Sequence, residues 1–448
     1  MESIDRRGFL KRSSAAAAGI MASAPVVKNG FVQNSPNETI NVAVVGIRSR
    51  GGDYSGNGHY TTLCKIPNVR VATLCDIDER LFPEGVANVE RMSGFRPKTE
   101  VDFRKVLEDK DIDAVSIATP DYWHALQTIW ACQAGKDVYV EKPISYTIDE
   151  GRKMVQAARK YNRVVQTGTQ SRSSKVVHEA IKFLHEGKLG KIYMGRAIVY
   201  GFRDNIGHVK DSPIPEGVHW DVFLGPVPYR PFNLNRFHYN WHWFWDTSTT
   251  EFGNNGTHAV DRLRWGMNKR VHPVKVECMG GFFVYDADQE IPNIQTATYT
   301  YSDGTIMEME VRSLFTNPED GKKTGSFFYG SEGWMMLDHT EFRTFFGRKD
   351  EPGPSLTAKE LGAEFKGLDV PHFTNFIDCM RSRKWQDLNA DIEEGHLSTS
   401  ICHLGNIAYR TGRKLTFNSS AEKFVNDDDA NSYLTREYRY PYVMPDKV

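Results

Sequence analysis

The stretch Asp137-Val138-Tyr139-Val140-Glu141-Lys142-Pro143 carries the first candidate chemistry: its β-branched half reads as a buried strand, stopped by a carboxylate, an ammonium and a proline. Ligands of an open α/β sheet sit outside the carboxyl ends of its strands, so Lys142 is aimed at a crevice. His258 stands among glycine, asparagine and acid in Asn254-Asn255-Gly256-Thr257-His258-Ala259-Val260-Asp261, a setting unlike a packed core. Oxidising a secondary alcohol sends a hydride to an acceptor and a proton to a base. Histidine titrates in the right range for that base, and a nearby lysine steadies the developing alkoxide. His396 and His403 lie on an apolar helix and read as structural.

A third concentration is Phe237-His238-Tyr239-Asn240-Trp241-His242-Trp243-Phe244-Trp245-Asp246. Pyranose rings present apolar C–H faces and polar rims, so aromatic walls beside histidine, asparagine and aspartate suit a carbohydrate pocket. Trp241 and His242 are the expected substrate contacts, while Trp243 and Phe244 are expected to pack the interior. Arg172, just past Gln170, is expected to face the same crevice.

The elements that must position these groups follow from the strand pattern. Ile40 to Gly46 is a buried strand ending in a glycine turn, and Gly46 and Gly51 fit the outer positions of a G-x-G-x-x-G fingerprint whose middle position is Arg48. Val69 to Asp76 is a second strand, ending in an acid able to accept the adenosine ribose hydroxyls; Asp76 disfavours a 2′-phosphate, hence NAD over NADP. Asp78 reads as a helix cap. Asp113 to Pro120 is a further strand, after which Asp121 is expected to cap a helix running through His124, and Arg163 to Gly168 is another. Strands alternating with helices give a doubly wound parallel sheet.

Past Gly190 the texture changes to alternating strands joined by short turns, at 192–200, 274–283, 294–301, 305–313, 325–330, 334–337 and 341–345. The fold class is therefore α/β, with an N-terminal Rossmann domain (39–165) and a C-terminal α+β domain (166–418) built on a large, mostly antiparallel open sheet. Residues 371–411 read as helical and 419–448 as a peripheral tail. Such a sheet can pack against another subunit, so a homo-oligomer, dimer or tetramer, is expected.

Composition narrows the classes further. Among 448 residues, 56 basic side chains face 57 acidic ones, so no basic surplus supports a nucleic-acid partner. Six scattered cysteines form no C-x-x-C pair, and no metal site is expected. Asp5-Arg6-Arg7-Gly8-Phe9-Leu10-Lys11 precedes a small, weakly apolar run ending in Ala22-Ser23-Ala24, and residues 1–38 resemble a twin-arginine export signal and linker. The twin-arginine machinery is the partner this implies, with a periplasmic or otherwise exported location. Pro25 follows the small-x-small site, so a signal retained as a membrane anchor is the alternative.

With the glycine turn ending at Gly51, Asp76, Thr119-Pro120, His124, Glu141-Lys142-Pro143 and the His258 segment in view, the chain resembles the Gfo/Idh/MocA family of nicotinamide-dependent sugar and polyol oxidoreductases over roughly residues 39–415. The resemblance implies that Gly46, Arg48, Gly51, Asp76, Thr119, Pro120, His124, Glu141 and Lys142 hold the cofactor. It implies that Lys142 and His258 are catalytic; Asp261 joins Arg172, Trp241 and His242 as an expected substrate-side residue. Family members commonly carry an aspartate four residues before that histidine; here the position is Asn254, which leaves Asp261 or Asp246 to orient His258. The expected activity is NAD-dependent hydride transfer at a secondary hydroxyl of a sugar or glycoside, possible 3-keto formation included, with tightly bound cofactor. The alternatives are an NAD-dependent glycoside hydrolase working by transient oxidation and elimination, and a non-catalytic nucleotide-binding sugar sensor. Export without a free NAD(H) pool outside the cytoplasm is what asks for a resident cofactor.

Overall fold

The computed structural model describes residues 38–362 and 367–448; the expected export signal lies, but for Glu38, outside the described residues. Six parallel strands form the first sheet: β1 (Ile40–Val45), β2 (Val69–Cys75), β3 (Lys98–Glu100), β4 (Ala114–Ile117), β5 (Asp137–Val140) and β6 (Val165–Thr167), in the order β3-β2-β1-β4-β5-β6. The chain reverses its winding between β1 and β4, and a doubly wound sheet opens its ligand crevice at the carboxyl ends there. β4 and β5 are buried at every position, which explains their continuous apolar runs.

The second sheet has ten strands: β7 (Ile192–Val199), β8 (Lys275–Gly281), β9 (Ile294–Thr300), β10 (Ile306–Arg312), β11 (Thr324–Gly330), β12 (Gly333–Leu337), β13 (Glu341–Phe346), β14 (Glu351–Thr357), β15 (Leu415–Asn418) and β16 (Lys423–Phe424). Their order is β14-β13-β12-β11-β7-β10-β9-β8-β15-β16, and all neighbours are antiparallel except β7 and β10. Helices Lys175–His185, Thr257–Gly266 and Ile392–Thr411 lie on one face and enclose the larger core with Phe252, Met309, Tyr299 and Phe328.

Two features depart from the sequence reading. Helix Asp369–Ser382 lies in the chain between β14 and β15 of the second sheet yet packs with the first: Phe373 stacks on Tyr139 at 4.0 Å, and Phe376, Ile377 and Met380 complete the core under β1 and β2. The segment read as a peripheral tail is packed. Phe424, Leu434, Tyr442 and Met444 are buried, Arg436 pairs with buried Glu150 at 3.0 Å, and Glu422 accepts hydrogen bonds from Arg152 and from the Nε2 atoms of His272 and His396. An acidic, asparagine-rich composition looks the same whether its charges meet water or buried arginines and histidines.

Candidate active site

β1 ends at a turn that only glycine fits. Gly46 has φ +82°, and a Cβ there would lie 2.7 Å from the Ala118 carbonyl oxygen; a Cβ on Gly51 would lie 1.9 Å from the carbonyl oxygen of Gly46. Gly51 thus shapes the turn from behind, while Gly46 and Arg48 line the cleft. Asp76, at the end of β2, accepts the amide protons of Ile47 (2.7 Å) and Asp78 (3.0 Å), and burial raises its pKa to about 6. Asp78 caps the following turn as expected and also holds Arg80 and His238. A glycine turn beside a buried acid on the next strand fits a dinucleotide. Arg48, in place of the middle glycine, lines the cleft beside that turn.

From that turn a cleft of about 760 Å³ runs past Thr119, Pro120, His124, Glu141 and Lys142 to Trp241, His242, Asn254, Asn255 and His258. It brings together both expected catalytic residues, the expected cofactor residues apart from Gly51, and both aromatic candidates. The helix Asp121–Gln133 starts at the cleft, but Asp121 does not cap it. Its carboxylate instead accepts from the Thr249 hydroxyl at 2.6 Å. His124 lies between two carbonyl oxygens, with Nδ1 2.7 Å from Pro143 O and Nε2 2.8 Å from Thr119 O, and ties the Thr-Pro corner to the Glu-Lys-Pro turn.

Glu141 is an anchor. Its Oε1 receives Arg50 Nε (2.9 Å), His59 Nε2 (3.0 Å) and Gln170 Nε2 (3.1 Å), and Arg50 also pairs with Asp369 on the returning helix. Burial opposes the charge on Glu141, but Arg50 and His59 hold its carboxyl well below the usual range. Lys142, next in the chain, donates from Nζ to the Asn254 carbonyl oxygen at 2.7 Å and faces Asn254 Oδ1 at 3.4 Å. Burial lowers its pKa, with Glu141, Asp121 and Glu251 pulling the other way.

His258 sits in the first turn of helix Thr257–Gly266, directly after a π-helical turn at Phe252–Gly256. Glycines let that turn pack tightly: a Cβ on Gly253 would lie 1.9 Å from the Thr249 hydroxyl, and one on Gly256 would lie 1.8 Å from Met309. Burial and the Lys142 charge drive the His258 pKa well below its ordinary value, which favours the neutral imidazole. In the aromatic segment, His242 stacks on Trp241 at 3.6 Å and its Nδ1 donates to the Tyr239 carbonyl oxygen at 2.7 Å. Burial lowers its pKa to about 3, which leaves Nε2 as a lone-pair acceptor. Trp243 and Phe244 are buried in a small apolar cluster, as expected.

Two expected substrate residues are not in the cleft. Arg172 and Asp261 are buried against each other at 2.8 Å; Ser398 also donates to Asp261 and Glu394 joins Arg172 at 3.0 Å. They join the segment after β6, the His258 helix and helix Ile392–Thr411, so they support the site without reaching it. Asp261 is therefore unavailable to orient His258, and Asp246 is held by Arg230 at 2.6 Å. The sequence reading missed Gln170, Tyr239, Asn255 and Arg262, which line the cleft, and Glu251 behind it. The Glu251-Phe252-Gly253-Asn254-Asn255 run was the available signal for the last group. His396 donates to Glu422 and His403 meets Ser145, and both are structural, as expected.

Residues 40–169 match the family model for the NAD-binding Rossmann fold of the Gfo/Idh/MocA oxidoreductases, and residues 202–444 match that for their C-terminal alpha/beta domain. A glycosyl hydrolase family 109 protein from Shewanella pealeana is 26% identical over 215 residues, which is 43% of this chain and 45% of the relative. The chain thus matches less than half the length of that curated relative. The WlbA dehydrogenase from Bordetella pertussis in complex with NADH and UDP-GlcNAcA superposes with a TM-score of 0.62 at 19% identity, over 86% of this chain and 99% of that one. A levoglucosan dehydrogenase complex with NADH gives 0.65 at 17%, over 85% and 100%. At these identities the two likenesses speak to the fold.

Proposed function

The chain belongs to the Gfo/Idh/MocA oxidoreductase family, and on that premise we propose that it transfers a hydride between NAD and a secondary hydroxyl of a sugar or glycoside. The observation that carries this reading is the meeting of Lys142 and His258 in one cleft with Gly46 and Asp76. When bound, the nicotinamide supplies the hydride acceptor. His258 takes the proton of the reacting hydroxyl, in a position where general-base catalysis contributes typically ~10²–10⁴-fold. Lys142 donates to the Asn254 carbonyl and, at 3.4 Å, to its Oδ1, and keeps a third N–H for the substrate oxygen as negative charge develops there. The Trp241–His242 stack offers a flat face to the sugar, and Nε2 of His242 accepts from a hydroxyl at its rim. The carboxylate of Asp76 supports NAD over NADP.

We also propose export through the twin-arginine route, on the strength of Asp5-Arg6-Arg7 and the run behind it, and a homo-oligomer built on the ten-stranded sheet. An exported enzyme meets no free NAD(H) pool, so the cofactor stays bound and a second half-reaction regenerates it. The second reading is glycoside hydrolysis by transient oxidation, elimination and re-reduction. The family 109 relative favours it, while Glu141-Lys142-Pro143 favours the dehydrogenase.

The test is the absorbance of reduced nicotinamide in the purified protein during addition of glucosides, galactosides and free sugars without external NAD. Reduction by one sugar and reoxidation by a keto-sugar is the expected result. Aglycone release with no net change in bound NAD would put hydrolysis first, and inertness towards every sugar would refute both readings.

A further inference from the structure

We propose that Glu251, which does not line the cleft, is the positioning residue for Lys142 and for the amide wall beside it. Glu251 is 3% exposed and its two oxygens are fully engaged. Oε1 receives Asn254 Nδ2 at 3.0 Å and Arg203 Nη2 at 2.9 Å, and Oε2 receives Asn255 Nδ2 at 3.0 Å. An ionised carboxylate only accepts hydrogen bonds, so both asparagine side chains must turn their nitrogens towards it. Their oxygens then point the other way. That of Asn254 faces the Lys142 ammonium at 3.4 Å, and that of Asn255, a cleft residue, is an acceptor for a substrate hydroxyl. One buried charge thereby sets the orientation of two amides and supplies negative potential to a lysine it does not touch.

Lys142 is faced by Glu141 at the end of β5, by Asp121 from helix Asp121–Gln133, by Glu251 from just before the π-turn and His258 from the helix after it, by Arg50 from the glycine turn, by His242 from the aromatic segment and by Cys402 from the C-terminal helix. Among the carboxylates only Glu251 is linked to it through a side chain that could adopt either orientation. Neutralising Glu251 takes from Arg203 its carboxylate partner, lets Asn254 turn its nitrogen towards the ammonium, and lowers the pH at which Lys142 gives up its proton. This inference rests on the proposed hydride-transfer role of Lys142, but its first readout needs no turnover.

The experiment follows the Lys142 resonance in the full-length, NAD-loaded protein labelled with ¹³Cε-lysine, assigned as the signal lost in Lys142→Arg. In Glu251→Gln the titration midpoint is expected to fall by about one pH unit. The alkaline limb of single-turnover NAD reduction should move with it. In Asn254→Leu, which keeps the carboxylate and removes the aimed oxygen, the midpoint should move less than half as far while the rate of NAD reduction falls about tenfold. A midpoint unchanged in Glu251→Gln overturns the proposal. If that variant does not fold, an unchanged midpoint together with an unchanged rate in Asn254→Leu overturns it. A wild-type protein whose bound NAD is reduced by none of the sugars refutes the reading of the reaction, and the titration still decides the role of Glu251.

Discussion

Replacing Arg172 by methionine separates a support from a substrate contact. The side chains of Arg172 and Asp261 are 5% and 1% exposed, so the substitution strands a carboxylate in the interior with Ser398 and, at 3.9 Å, Arg264. Breaking a buried pair from one side typically costs ~3–5 kcal/mol. Because Arg264 and Ser398 compensate Asp261 in part, the lower end, about 3 kcal/mol, is expected. Unfolding entropy near ~2.1 cal/mol/K per residue puts the compact unit Pro36–Val448 at about 0.9 kcal/mol/K, so Tm should fall by about 3–4 °C. Adding Asp261→Leu removes the stranded charge and should recover part of that loss. Calorimetry measures both variants, and sugar titrations of the bound NAD should show KM within about twofold of wild type below the transition. A Tm within a degree of wild type combined with a tenfold rise in KM would refute the assignment and return Arg172 to the substrate.

Glutamine at 258 should slow single-turnover reduction of bound NAD by about 10²–10⁴-fold while leaving NAD affinity, read by fluorescence titration, unchanged. The acidic limb of wild-type oxidation should lie well below pH 6.5, because burial and Lys142 depress the His258 pKa; Lys142→Met removes one of those causes and should move the limb upward even as the rate falls. Stability should also fall in acid. His372 and His396 are lowered to about 4 and His403 to about 3 by burial, so the unfolded chain binds more protons below pH 6.5, and the stability present above that pH is lost progressively as it drops towards 4 and 3. A Tm that is flat from pH 7 to 4 would contradict those burials.

Much of the site was readable because its signals are local. A strand ending in Gly46, a strand ending in Asp76 and a strand ending in Glu141-Lys142-Pro143 each place their last residues at one edge once the winding is doubly wound. The misplacements share one cause. Arg172 and Asp261 are polar, close to the site in the chain and of the right types, and an arginine that meets a substrate has the same spelling as one that meets an aspartate. Glu141 does line the cleft, but the partners that anchor it, Arg50, His59 and Gln170, come from segments on either side of it.

The sequence by itself determined what short-range physics controls: the alternation of apolar runs with helices, the glycine turn, the acid at the end of β2, and the lysine and histidine proposed here to serve hydride transfer. The tertiary structure decided which charges face the cleft and which face one another. Helix Asp369–Ser382 returning to Tyr139, the tail held by Glu422, and the Arg172–Asp261 pair are contacts between residues far apart in the chain. Their energies depend on distance and burial, and residue order along the chain encodes neither directly.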